Sequence, residues 1–258
     1  MEAYKSFASI YDIFMSNVEY DKWIDYIQEI WRKNNCKPNL IAELGCGTGN
    51  ITQRLAQKGY DMIGIDLSED MLSEARQKAE KENLNILYIL QDMREFELYG
   101  TVDCILALCD SLNYITEKKD LLQVFRLVNN YLEPGGLFLF DMNTEYKFKT
   151  IFAQNVFAET TENAAYIWEN FYDEQEKINE FYMNFFVEQS DGSYQRNEEF
   201  HYERAYSLKE IETLLTKSGL EFICSYDAYT FEKPRTISER IFVVAKEKMK
   251  KKICSNDK

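Results

Sequence analysis

The chain has 258 residues, 45% hydrophobic and 29% charged, an ordinary balance for one soluble globular unit, alone or with an elaborate insertion. Its net charge of −14 disfavours a phosphate backbone as partner; residues 246–258 carry +4, which leaves −18 on the rest. No apolar run approaches the roughly 20 residues of a bilayer span, and the N-terminus has no signal-peptide pattern. Six cysteines without a C-x-x-C pair, and one histidine, point to reduced thiols in a cytoplasmic protein and to no metal site.

In chain order, Tyr4, Phe7 and Tyr11 share one face of a predicted N-terminal helix, and Tyr20 and Trp23 follow as weaker site candidates. The first β-branched run, Ile41-Ala42-Glu43-Leu44, is delivered into Gly45-Cys46-Gly47-Thr48-Gly49. Three glycines at alternate positions predict a tight strand-to-helix turn whose backbone can press against a ligand. A helix is expected over 50–58 and a second strand over 60–66, ending in Asp66. An acid at that strand tip can accept both hydroxyls of a ribose. Ser68 caps a helix running to about 83, with Leu67 and Met71 beside its start. The third strand, 84–90, ends in Gln91-Asp92-Met93, and the fourth, 102–108, ends at Leu108.

After the fourth strand come Asp110-Ser111-Leu112-Asn113-Tyr114, then a helix over 117–131 stopped at Glu133-Pro134-Gly135-Gly136, and a fifth strand at 137–140. Alternating strands and helices imply an α/β, doubly wound parallel sheet. Residues 144–206 break the rhythm with period-2 alternation at 166–172, 181–187 and 198–206, which predicts a three-stranded antiparallel meander. This stretch holds 16 of the 38 aromatics. Some of those rings must build the small sheet's own core, and a few are free to line a cavity. His201 alternates with Phe200 and Tyr202, so it faces the other way. A surface or structural role is expected for it, and it points to solvent if the Phe200 face packs inward. A capped helix over 207–218 and strands at 220–226 and 239–246 close the fold.

The glycine spacing departs from the dinucleotide pattern G-x-G-x-x-G, and Glu43 inside the strand suits a ligand carrying an ammonium group better than a pyrophosphate. The stretch Glu43-Leu44-Gly45-Cys46-Gly47-Thr48-Gly49-Asn50 resembles the first motif of class I S-adenosylmethionine-dependent methyltransferases. The opening Tyr4-x-x-Phe7-Ala8-x-x-Tyr11-Asp12 is similar to that of bacterial small-molecule members. Sugar-amine N,N-dimethyltransferases are part of this resemblance.

The resemblance implies a seven-stranded Rossmann-like sheet formed by 1–143 and 207–246; the aromatic-rich insertion at 144–206 reads as a substrate lid, and the lysine-rich 247–258 as a flexible tail. It implies S-adenosylmethionine as cofactor, held by Tyr4, Glu43, Gly45, Cys46, Gly47, Gly49, Asp66, Leu67, Met71, Asp92, Met93 and Leu108. Methyl transfer from a sulfonium mainly needs the nucleophile positioned and water excluded, with a base only if a proton must leave. Candidates near the acceptor are Tyr11, Asn113, Tyr114 and His201; Asn113 and Tyr114 stand where some sugar-amine relatives carry a histidine. The expected activity is methylation of a small molecule at an amine or hydroxyl by a monomer or homodimer. The alternatives are an RNA- or protein-directed methyltransferase, a cofactor-binding accessory protein, and a nicotinamide enzyme.

Overall fold

The computed structural model describes residues 8–248 and Lys250. Seven strands form the main sheet in the order β10-β11-β5-β4-β1-β2-β3: β1 (Leu40–Leu44), β2 (Asp61–Asp66), β3 (Ile86–Leu90), β4 (Val102–Ala107), β5 (Leu132–Asn143), β10 (Leu220–Asp227) and β11 (Arg240–Glu247). The pairings β1–β2, β2–β3, β1–β4 and β4–β5 are parallel, whereas β11 runs antiparallel to both β5 and β10. The central strands β1, β4 and β5 are buried on both faces, which is why they read as nearly unbroken apolar runs.

Helices cover the two faces. On one side α5 (Lys118–Tyr131) and α6 (Leu208–Ser218) bury Phe125, Val128, Ile211 and Leu215 against Phe138, Phe140 and Val243. On the other, α2 (Tyr20–Lys33) buries Ile24, Ile27, Ile30 and Trp31 against Leu106, Leu139 and Val244, together with α3 (Asn50–Gln57). Ser68 caps α4 (Glu69–Lys81) by accepting from the Met71 amide at 3.3 Å, and Ser207 and Glu210 close a capping box on α6. The expected stop at 133–136 is instead part of β5. The register there slips between the Val102–Leu132 and Cys104–Leu137 pairs, and this irregularity absorbs Pro134, which has no N–H to give the ladder.

The inserted sheet has four antiparallel strands where three were expected: β6 (Val156–Thr160), β7 (Ala164–Asp173), β8 (Ile178–Glu188) and β9 (Tyr194–Arg204). β6 is short, lies at the sheet edge and pairs only with β7. A π-helical segment, Lys147–Phe152, leads into it and packs Phe148 and Phe152 against Tyr172 and Phe181. The short α1 (Ala8–Phe14) covers the other end, with Ala8 and Phe14 against Phe185 and Tyr166. No helix of the described residues is long and apolar enough to cross a membrane.

Candidate active site

The parallel strands bring their carboxyl ends to one edge, and every described site residue of the main sheet lies there. β1 delivers the glycine turn, whose Gly45, Gly47 and Gly49 take φ of +68°, +53° and +79°. Ser111 stands 2.7 Å from where a Cβ on Gly45 would be, so only glycine lets the loop after β4 approach this closely. A Cβ on Gly47 would meet nothing within 4 Å, so the turn is open on that side. The Cys46 thiol is turned into the core beside Tyr88 and pushed well up by burial, which leaves only the Cys46 backbone to face a ligand.

Asp66 sits beside this turn. Its Oδ2 accepts from the Gly47 amide at 2.7 Å and its Oδ1 from the Ser68 amide at 2.9 Å. Burial raises the Asp66 carboxyl above its ordinary value, and these backbone donors oppose the shift. Glu43 is buried at the end of β1 and accepts from the Thr52 hydroxyl; burial pushes its carboxyl up to about 8 against that hydrogen bond. Leu67 is 57% exposed at the mouth, whereas Met71 is covered by Ala8 and Phe185. The Asp92 carboxylate is forked by Arg94, with Nε at 2.9 and 3.0 Å, a partner the sequence reading did not anticipate. The Met93 methyl lies 3.5 Å from the Gly45 Cβ position, and Leu108 is buried under α2. Tyr4 lies outside the described residues.

Several further residues meet here that the motifs did not announce. Asp12 on α1 accepts from the Thr48 hydroxyl and the Asn50 amide, both at 2.7 Å, and from Lys78 at 2.6 Å. It thereby pins α1 across the start of α3, and Tyr11 beside it is half-buried. Past β4 and β5, Arg240 bonds Asp110 at 2.8 Å and also Asp141, both of them on the carboxyl edge. The Asn143 side-chain amide donates to Asp110 at 2.7 Å and to Glu203 at 3.2 Å, while Lys147 donates to the Asn143 side-chain Oδ1 at 3.0 Å.

Burial opposes ionisation of all three acids. Arg240 and Lys147 nonetheless hold Asp110 below the ordinary carboxylate range, while Asp141 and Glu203 stay above it. Cys109 and Asp110 both take φ of +54°, so the turn out of β4 is a strained one for residues with a Cβ.

The four-stranded sheet lies over this edge. Asn113 donates to the carbonyls of Arg204 at 2.9 Å and Asn143 at 3.2 Å, and Tyr114 meets His201 edge-on at 5.8 Å between ring centroids. Phe200 and Tyr202 are exposed and His201 is buried, so the face of β9 that packs inward is the one carrying the histidine. A cavity of about 290 Å³ opens at the carboxyl edge between Trp23, Tyr229, Arg235 and Arg240. A larger one of about 700 Å³, between α6 and β10, lies near Leu220, whose partner Glu247 is at the opposite end of the sheet.

Comparison with known proteins decides what this arrangement belongs to. Residues 41–136 match the family described as "Methyltransferase domain". YqeM of Bacillus subtilis (strain 168), a protein named as a methyltransferase, is 37% identical over 245 residues, covering 95% of this chain and 97% of that one. The crystal structure of an S-adenosylmethionine-dependent methyltransferase from Clostridium acetobutylicum ATCC 824 superposes with a TM-score of 0.86 at 35% identity, covering 95% of this chain and 99% of that one. The chain belongs to the S-adenosylmethionine-dependent methyltransferases. A Streptomyces venezuelae relative, dTDP-3-amino-3,4,6-trideoxy-alpha-D-glucopyranose N,N-dimethyltransferase, is 26% identical over 132 residues, half of this chain and 54% of its own length.

The cofactor of this methyltransferase is therefore S-adenosylmethionine, and the residues present fit it: the glycine turn is open beside Gly47, and a half-buried carboxylate, Asp66, stands at its flank. Bound there, the cofactor supplies an electrophilic methyl on a sulfonium whose leaving group departs neutral.

Proposed function

We propose that this methyltransferase methylates a small molecule at an amine or hydroxyl. The reading is carried by the four-stranded sheet above the carboxyl edge. Its inner face joins the loop after β4 through Asn113 and the end of β5 through Asn143, a roof suited to excluding water from a compact acceptor. The acidic body disfavours a nucleic-acid acceptor. The 26% identical Streptomyces relative is named for an amino-sugar substrate, which supports a small acceptor.

In this reading Asp66 accepts the ribose hydroxyls, and the backbone of residues 45–49, with Glu43 behind it, holds the methionine end. Leu67 covers the adenine, and Asp92, Met93 and Leu108 line the rest. The test is a screen of amines and hydroxyl compounds for S-adenosylhomocysteine release. Turnover of a small acceptor is expected, with tRNA binding weaker than the roughly 10⁻⁴–10⁻⁶ M of ordinary non-specific binders. Turnover of tRNA or protein alone would overturn the reading.

Glu43 provides a second check. With its carboxyl near 8 in the free protein, it is mostly protonated at pH 7, and a cationic ligand favours the ionised form. Cofactor binding at pH 7 is therefore expected to release a proton, seen by calorimetry as an enthalpy that changes between phosphate and Tris buffers. Glu43→Gln should remove most of the difference; a buffer-independent enthalpy in the wild type contradicts the assignment.

A further inference from the structure

We propose that the 290 Å³ cavity beside β11 is the acceptor site and that it takes a compact zwitterion, carrying a carboxylate and an ammonium as a free amino acid does; the inference rests on the small-molecule reading above. The charged groups lining this cavity are Asp227, Arg235, Glu239 and Arg240, two of each sign. A net-neutral lining of separated opposite charges complements a ligand built in the same way, and it leaves a singly charged ligand with one group unmatched.

Arg240 is committed to Asp110 and Asp141. Arg235 is less so. Its Nε and Nη2 donate to a single Asp227 oxygen at 3.3 and 3.1 Å, and among the described residues Nη1 has no partner. The side chain is 67% exposed and offers the planar fork that recognises a carboxylate. Glu239 is exposed and, among the described residues, in no ion pair; the Lys147 ammonium is near enough to bear on its charge without bonding to it. Trp23, stacked on Tyr229 at 4.1 Å between ring centroids, and Ile237 supply an apolar wall for the ligand's remaining atoms. The volume lies at the small end of ligand sites, enough for an amino acid.

Direct contacts tie the cavity to the cofactor side of the molecule. Arg240 bonds Asp110 on the turn out of β4, and the next residue, Ser111, stands against Gly45 of the glycine turn. The Tyr229 hydroxyl donates to Asp141 Oδ2 and the Asp110 amide to Asp141 Oδ1, both at 3.3 Å. Asp141 thus joins the cavity wall to that turn. Three residues of this junction, Cys109, Asp110 and Tyr229, carry a Cβ and yet take φ of +54°, +54° and +59°. Such strain persists only where the surroundings hold it, and it collects at binding and catalytic sites. From β1 to β11 there are three strand spacings, about 14 Å, a width that a methyl donor at the glycine turn and a compact acceptor in the cavity cover between them.

The protein is loaded with S-adenosylhomocysteine, so that the methionine pocket is filled, and titrated with each of the common amino acids by ligand-observed NMR. The best binder is then compared with its two singly charged analogues, the amine lacking the carboxylate and the acid lacking the amino group. At least one amino acid is expected to bind with a Kd below about 5 mM. Each analogue should bind at least about tenfold more weakly, the low end for losing a hydrogen bond to a charged group. Arg235→Gln should weaken the amino acid by a similar factor and leave the amine analogue unchanged. Glu239→Gln should weaken the amino acid likewise and leave the acid analogue unchanged. Both side chains are exposed between β10 and β11, so neither substitution disturbs the core.

Absence of any such binding overturns the proposal, as does an analogue that comes within tenfold of the amino acid. An amino-acid affinity unchanged in either variant also overturns it, because the ligand is then not held at both ends in this cavity. None of these results touches the small-molecule reading, which the acceptor screen tests through turnover.

Discussion

Arg240→Met is expected to destabilise the protein by about 2–4 kcal/mol, somewhat under the 3–5 kcal/mol typical for breaking a fully buried pair. The guanidinium is bonded to Asp110 and Asp141, and the Asp141 side chain is fully buried. Methionine preserves much of the volume but leaves two carboxylates facing each other with only Lys147 to offset Asp110 and no cation bonded to either. The reduction from the full figure reflects the Arg240 side chain, which is 20% exposed where it borders the 290 Å³ cavity. For a chain of this size the loss corresponds to roughly 5–15 °C in Tm.

Adding Asp110→Asn and Asp141→Asn to Arg240→Met should recover most of the loss, because the destabilisation comes from stranded charge rather than a missing contact. The sign with pH follows from Asp110, which Arg240 and Lys147 hold below its ordinary value against burial. Its contribution is present above the unfolded carboxylate range and disappears as pH falls through the lowered value. The gap between wild type and Arg240→Met should therefore narrow in acid. Urea melts at pH 7 and at pH 3, below the ordinary carboxylate value, measure both effects; an equal gap at the two pH values, or no recovery in the triple variant, would contradict this account.

Asp66→Ala is expected to weaken S-adenosylmethionine binding by about 1.5–3 kcal/mol, roughly 10–150-fold, the range for losing hydrogen bonds to a charged group. Two effects add. The proposed ribose partner goes, and the amides of Gly47 and Ser68 lose the acceptors that shape the turn. Asp66→Asn should fall between, since the amide oxygen can still accept. Calorimetry against S-adenosylhomocysteine gives the numbers, and an unchanged affinity in folded protein would place the ribose elsewhere.

The cofactor side of the molecule was readable because its signals are local. The apolar run into Gly45-Cys46-Gly47-Thr48-Gly49, the acid ending β2 and the Ser68 cap each depend on a few adjacent residues and on backbone sterics. The structure places these at one edge with strand ends within a residue or two of expectation, because parallel pairing of short apolar strands leaves little freedom. Arg94 was missed although it stands two residues from Asp92, since a charge on a turn is uninformative until its partner's direction is known.

The charged network beyond β4 was not readable. Asp110, Asp141, Asn143, Lys147, Glu203 and Arg240 come from four separate stretches of chain and become one network only when β4, β5, β9 and β11 are assembled. Period-2 alternation placed His201 opposite Phe200 but could not say which of those faces is inward. A strand with rings on one side and Glu, His and Glu on the other looks, by hydropathy, as though the rings should be buried. The tertiary structure decides otherwise, leaving Phe200 and Tyr202 exposed and covering the titratable row. By itself the sequence determined the sheet, the glycine turn and the cofactor, because those are set by backbone conformation and apolar periodicity. The orientation of β9, the fourth inserted strand and the buried charges were decided only by packing, where distant residues meet and burial sets the cost of every polar group.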